Sequence, residues 1–311
     1  MIIRLDTTPP APVAARLVTV REEGGVVALG RVLTLIVLAH GTEKVEEAIE
    51  ITNAASREHP SRVIVVNTRA PAGRDGLDAE IRVGGDAGAS EVVVLHPRGA
   101  AAADQDTLVT PLLLPDTPIV AFWVGRTPHK PAAEPVGRMA QRRITDIISG
   151  ITDDPATSRE ARLSLALLGA NYAPGDTDLS WARITLWRAL IASVLDLEAT
   201  DLESIDVEGA QDRPSMHLLA GWIRSRLGVP VRFHDSGGIH ITRVDLNLPD
   251  GTIRISRPTD ATAATISRAG KPDQRTNLPP RTTTDCLMEE LRRLDADEVY
   301  AEALSRAVEE L

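Results

Sequence analysis

The sequence predicts two domains in succession: an α/β domain with a mixed sheet over residues 1–150, then an α+β domain over 151–311 built as an antiparallel meander with covering helices. Three observations carry that expectation. Residues 32–39 are almost wholly apolar, 61–67 carry the run Val63-Ile64-Val65-Val66, as strands buried on both faces do, and the segment between them has helical periodicity. Four short strand-like runs follow residue 230, two of them separated by the turn residues Pro249-Asp250-Gly251. A length of 311 residues suffices for two ordinary cores.

In chain order, a Pro-rich start leads to a short helix at 13–20 and the first buried strand at 32–39. Residues 43–57 form a helix with Val45, Ala48, Ile49, Thr52 and Ala55 on one side, and 61–67 completes a strand–helix–strand unit. Strands at 79–83 and 91–95 are joined by 84–90, a link short enough for a hairpin, so the sheet turns antiparallel there. A short helix at 104–110 ends before Pro111, and a strand at 118–124 carries Phe122 and Trp123. Pro128, Pro131 and Pro135 mark a surface excursion over 125–135. The second half opens with a helix at 156–168 that carries Leu163, Ala166 and Leu167. A helix at 179–195, a strand at 202–207 and a helix at 214–227, with Pro214 in its first turn, come next. The meander strands are 231–234, 239–247, 252–256 and 261–267. Two helices, 284–294 and 297–310, close the chain, the last with a broad apolar face (Val299, Ala303, Val308, with Tyr300 and Leu304 alongside) suited to covering the meander.

Composition narrows the function classes. A hydrophobic fraction of 43% beside 25% charged residues is that of a soluble globular protein. The net charge of −10 argues against nucleic acid or an anionic membrane surface as partner. The pairs Arg142-Arg143 and Arg292-Arg293 read as solvated helix faces with local ion pairs. Arg4 and Asp6 interrupt the apolar start, so it does not read as a signal peptide, and no apolar run reaches the roughly 20 residues that span a bilayer. A cytoplasmic protein is expected. Cys286 is the single cysteine, which rules out an internal disulfide and a cysteine metal cage; beside Leu287 on a Leu287, Leu291, Leu294 stripe it reads as a buried thiol.

Catalytic motifs are missing. Gly84-Gly85-Asp86-Ala87-Gly88 lacks the ending of a phosphate loop and the spacing of a dinucleotide turn, and it leads into a strand where both of those lead into a helix. It reads as a tight turn; a second reading is a weak anion site made by Arg82, Gly84, Gly85 and Asp86. The seven histidines form no metal-binding spacing, and no Gly-x-Ser-x-Gly elbow occurs. Asp153-Asp154 and Asp176-x-Asp178 precede helices, where carboxylates favour the positive end of the dipole. No catalytic residue, metal or cofactor is expected.

Residues 170–190 hold three of the eight aromatic residues, Tyr172, Trp181 and Trp187, around the turn Pro174-Gly175-Asp176. Ile184, Trp187, Ile191 and Val194 form one helical stripe, with Trp181 and Arg188 on its edge. That edge can meet a partner; alternatively both Trp residues are interior anchors and Arg188 pairs with Asp176 or Asp178. The segment resembles the glucose-6-phosphate dehydrogenase assembly protein family, OpcA, which carries a similar turn followed by a Trp-x-Arg helix. The resemblance continues through Arg21-Glu22-Glu23-Gly24-Gly25-Val26-Val27-Ala28-Leu29-Gly30-Arg31-Val32, Ala55-Ser56-Arg57-Glu58-His59-Pro60-Ser61-Arg62-Val63, Ile81-Arg82-Val83-Gly84-Gly85-Asp86-Ala87-Gly88-Ala89-Ser90-Glu91, Gln141-Arg142-Arg143-Ile144-Thr145-Asp146 and Glu289-Glu290-Leu291-Arg292-Arg293-Leu294-Asp295. It implies a non-catalytic protein of the oxidative pentose phosphate pathway that binds glucose-6-phosphate dehydrogenase and promotes its active oligomer. On that reading Tyr172, Asp176, Asp178, Trp181, Arg183, Arg188 and Trp123 are the candidate contacts. Thioredoxin-type redox control, known for cyanobacterial members, needs paired cysteines that this chain lacks. The alternative function is a sugar-phosphate sensor or enzyme using an anion site in the N-terminal α/β domain.

Overall fold

The structure, a computed structural model, describes residues 2–6, 9–23, 32–69, 74–83, 91–151, 155–198, 201–210, 212–309 and 311. In chain order its elements are β1 (Ile2–Leu5), α1 (Pro10–Glu23), β2 (Leu33–Ala39), α2 (Thr42–Ala55), β3 (Ser61–Asn67), β4 (Gly76–Arg82), β5 (Glu91–Arg98), α3 (Gln105–Val109), β6 (Ile119–Val124), β7 (Arg142–Thr145), α4 (Pro155–Ala170), β8 (Asp176–Asp178), α5 (Leu179–Arg183), α6 (Thr185–Glu198), β9 (Ser204–Gly209), α7 (Pro214–Leu227), β10 (Val231–Asp235), β11 (Arg243–Leu248), β12 (Gly251–Ser256), β13 (Ala263–Arg268), β14 (Gln274–Asn277), α8 (Thr283–Leu291) and α9 (Glu298–Val308). They form two compact units. The first comprises Met1–Gly150, Ala173–Leu179 and Thr283–Ala296, the second Ile151–Tyr172, Ser180–Thr282 and Asp297–Leu311.

In unit one the described strands form an eight-stranded sheet in the order β1-β4-β5-β3-β2-β6-β7-β8. The six from β5 to β8 run parallel, and β4 and β1 add an antiparallel edge, as the short 84–90 link suggested. Successive strands are laid first to one side of β2 and then to the other, the order of doubly wound nucleotide-binding sheets. The apolar run of β2 and the Val63–Val66 stretch of β3 follow from burial on both faces. Ile36, Leu38, Ile64, Val66 and Trp123 share a core with Val13 and Leu17 of α1, while Leu35, Val37, Val63 and Val65 are buried from the opposite side. The expected inward face of α2 is buried in full, and the helix packs against β2 and β3.

Two expectations fail here for one reason. Arg142 and Arg143 lie in β7 and are buried, and Asp176–Asp178 is a strand beside them. Carboxylates brought from elsewhere in the chain neutralise the arginines, which a local reading of charge could not anticipate. The helix expected at 284–294 belongs to this unit too: α8 packs on α2 and buries Cys286, Leu287 and Leu291.

The sheet of unit two has the described order β10-β9-β11-β12-β13-β14. From β11 to β14 it is the antiparallel meander that the Pro-Asp-Gly turn indicated, but β9 and β10 pair in parallel, connected through α7. The sheet is therefore mixed. α7 packs on β9 and β10, and α9 packs on α7, not directly across the meander as expected. The two helices approach so closely that a Cβ on Gly221 would lie 2.0 Å from the Ala303 carbonyl oxygen. Tyr300, Ala303, Leu304 and Ala307 form the buried face of α9. On α4 the buried residues are Ala161, Leu165 and Leu168, Ala166 and Leu167 are half-buried, and Leu163 is 57% exposed.

Candidate functional site

The turn before β8 starts from local chemistry. Gly175 has φ of 97°, and a Cβ there would meet the Gln141 carbonyl oxygen at 2.3 Å, so glycine is needed both for conformation and for room. The turn lays β8 along β7, with Arg143 N donating to Gly175 O at 2.9 Å. The Arg143 guanidinium pairs with Asp176 and donates to the carbonyls of Ala140 and Pro174. Asp176 also accepts from Ala173 N at 2.9 Å. Burial pushes the Asp176 carboxyl above its usual range, against the opposing pull of Arg143, the Ala173 amide and the charge of Arg142.

Asp178 Oδ2 accepts from Thr145 Oγ1 at 2.8 Å and Ile147 N at 2.9 Å, which ties β8 to the end of β7. Beneath it, Arg142 pairs with Glu290, bonds Thr177 Oγ1 at 2.9 Å and bonds the Asp295 carbonyl at 2.7 Å; Thr177 donates onward to Glu290 at 3.0 Å. The Arg143–Asp176 and Thr145–Asp178 contacts thus join β7 to β8, a role the capping pattern of the sequence does not announce.

In unit two, the Trp181 indole N–H donates to Asp297 Oδ2 at 2.8 Å, and Asp297 Oδ1 accepts from Tyr300 N at 2.9 Å as the N-cap of α9. Tyr300 stacks at a tilt against Trp181, 5.8 Å between centroids, and against Tyr172 at 6.3 Å. The Arg188 guanidinium lies 3.4 Å over the Trp181 ring and donates to Thr185 Oγ1 at 2.9 Å. The stripe Ile184, Trp187, Ile191, Val194 is buried as its spacing required. Arg183 is half-buried near His240; burial, then the charges of Arg257, Arg213 and Arg183, lower that imidazole's pKa.

The candidate contacts therefore separate by exposure. Trp181 is 2% exposed and Trp123 6%, Asp176 and Asp178 are buried, and Tyr172, Arg183 and Arg188 are half-buried. Arg82, expected at an anion site, makes a bidentate pair with Glu46 and a further bond to Glu80. Gly84, Gly85 and Asp86 lie outside the described residues. Two residues that sequence reasoning missed organise these regions. Asp297 carried a legible signal, a carboxylate one position before a helix; Glu290 carried none. Among the described residues no group of three or more His, Cys, Asp or Glu could hold a metal ion, and no helix is long and apolar enough to cross a membrane.

Residues 52–164 match the family described as glucose-6-phosphate dehydrogenase subunit N-terminal domain, and 174–304 match its C-terminal domain. A search of curated proteins returns no match. Among solved structures, a 3-ketoreductase mutant from Actinomadura kijaniata in complex with TDP-benzene and NADP is similar at TM-score 0.50 and 10% identity, covering 88% of this chain and 94% of its own. A myo-inositol dehydrogenase from Corynebacterium glutamicum gives 0.42 at 10% identity, over 88% and 95%. At such identity the first likeness speaks to the fold alone, and the second carries no argument.

Proposed function

The chain belongs to the glucose-6-phosphate dehydrogenase assembly protein (OpcA) family, and from that premise we propose that it is a non-catalytic partner which binds glucose-6-phosphate dehydrogenase and promotes its active oligomer. The observation that carries this reading is that both subunit domains of the family lie on one chain, in order. A protein that raises another's activity without turning over a metabolite acts by binding the active state more tightly; a tenfold preference corresponds to about 1.4 kcal/mol. The setting is the oxidative pentose phosphate pathway in the cytoplasm.

Of the candidate contacts, Tyr172, Arg183 and Arg188 retain exposed surface, and we assign them to the interface. Trp181 supports Arg188 from below, which holds the guanidinium in a fixed orientation and lowers the entropy lost on docking. An interface of ordinary size buries roughly 1,600 Å² in total and centres on Tyr, Trp or Arg anchors. Light scattering after size exclusion tests the proposal. A mixture of chain and dehydrogenase should elute as a species heavier than either component, and Arg188→Glu should reduce that species; two unchanged peaks at micromolar concentrations would refute the association.

A further inference from the structure

The carboxyl ends of three adjacent parallel strands in unit one converge on a cationic spot. Ala39 pairs with Asn67 on one side and Val124 on the other. The chain stays in register one step further, with Thr68 N donating to Ala39 O at 2.8 Å and His40 N to Val124 O at 3.2 Å. Thr68-Arg69, His40-Gly41 and Gly125-Arg126 consequently leave the sheet side by side, at the point where successive strands part to opposite sides of β2. Open α/β sheets take their ligands at that point.

Arg69 and Arg126 are exposed, and neither side chain has an ion pair or hydrogen bond among the described residues. Arg69 passes over Gly41, its Cδ 3.7 Å from where a Cβ would sit. Both guanidiniums act on the His40 ring: burial first, then Arg126 and Arg69, lower its pKa. His40 Nδ1 meets Thr68 Oγ1 at 3.2 Å, leaving Nε2 for another partner. The neighbouring acids are otherwise engaged or turned to solvent. Glu47 pairs with Lys44 at 2.6 Å, Glu46 with Arg82, and Glu43 is exposed.

We propose that Arg69 and Arg126, flanking His40, bind the phosphate of a phosphomonoester at this switch point. Two exposed guanidiniums carried by the ends of neighbouring strands leave this spot cationic, and a phosphate dianion offers each of them two oxygens. A dinucleotide does not fit the same residues. Counted from Gly41, the second and third positions of a Gly-x-Gly-x-x-Gly turn are Glu43 and Glu46, whose carboxylates oppose a pyrophosphate. Asn67 stands where a dinucleotide sheet presents the acid that bonds the ribose, and its Oδ1 is occupied by Gly41 N at 3.2 Å and Arg69 N at 3.0 Å. The site uses none of the residues assigned to the dehydrogenase interface, so either proposal can fail alone.

Calorimetry and amide NMR on the full chain test it with inorganic phosphate, glucose 6-phosphate and NADP as probes. Phosphate or glucose 6-phosphate should shift the amide signals of residues 40, 41, 69 and 126 and raise the titration midpoint of His40. Arg69→Ala and Arg126→Ala should each weaken binding about tenfold or more without altering the melting profile. Tighter binding of glucose 6-phosphate than of phosphate identifies a sugar ester as the source, and equal binding identifies the free anion. The proposal is overturned by shifts that fall elsewhere or are absent, by affinity unchanged in the double variant, or by NADP binding these residues more tightly than either monoester.

Discussion

Trp181→Phe keeps an aromatic ring in a slot that is 2% exposed and under Arg188, but removes the indole N–H that meets Asp297 Oδ2. A hydrogen bond to a part-buried carboxylate is worth roughly 1.5–3 kcal/mol, so the substitution should cost about 2. Asp297→Ala loses the same bond and also the cap on Tyr300 N, worth about 1 kcal/mol, for a total of about 3. The shared bond can be lost only once. The double variant should therefore cost about 3 kcal/mol where simple addition gives about 5, a coupling of about 2 kcal/mol. At roughly 2–4 °C per kcal/mol for a chain of this size, Trp181→Phe alone lowers Tm by about 4–8 °C. Urea unfolding followed by far-ultraviolet circular dichroism gives all four corners of the cycle. A coupling below about 0.5 kcal/mol would show that the indole bond does not join the helix bearing Trp181 to the start of α9.

Glu290→Ala leaves the Arg142 guanidinium, 2% exposed, without its carboxylate and should destabilise unit one by about 3–5 kcal/mol, whereas Arg142→Met with Glu290→Leu should recover most of the loss; equal urea midpoints for Glu290→Ala and the parent would contradict the buried pair. The His40 and His240 imidazoles hold protons less readily folded than unfolded, chiefly through burial, so their contribution is intact above the unfolded value near 6.5 and is lost as pH falls through it. Tm should decline from pH 7.5 to 5.5, with a shallower decline in His40→Gln and His240→Gln; an unchanged slope in both variants would remove these histidines from the account.

The parts of the fold legible in the sequence were those where one side chain in two or four had to be apolar. β2, β3, α2 and the Ile184 to Val194 stripe are set by burial along a single element, and their residues announce it. β8 did not announce itself, because Asp-Thr-Asp becomes a buried strand only when Arg143, Thr145 and Ile147 supply its partners. Arg142 looked solvated since its counterion is 148 residues away. The parallel pairing of β9 with β10 could not be told from an antiparallel one by strand composition, and β14, polar Gln-Arg-Thr-Asn, has no apolar period at all.

The site followed the same rule. The stacking of Arg188 on Trp181 spans seven residues across the junction of α5 and α6 and could be read from the spacing, while the bond from Trp181 to Asp297 spans 116 residues and could not. For the cationic spot a signal existed in plain sight: a basic residue within two positions of the end of each of three strands, at His40, Arg69 and Arg126. The glycine-rich segment 84–90 is the more conspicuous anion-loop pattern in the sequence, whereas these three residues lie far apart in it.

The central claim, that this chain acts on another protein's activity, is met most directly by initial-rate kinetics of purified glucose-6-phosphate dehydrogenase titrated with it. A saturable rise in rate that tracks formation of the larger species is expected, with no turnover by the chain alone. Identical rates at every ratio of the two proteins, or NADP reduction by the isolated chain with glucose 6-phosphate, would contradict it.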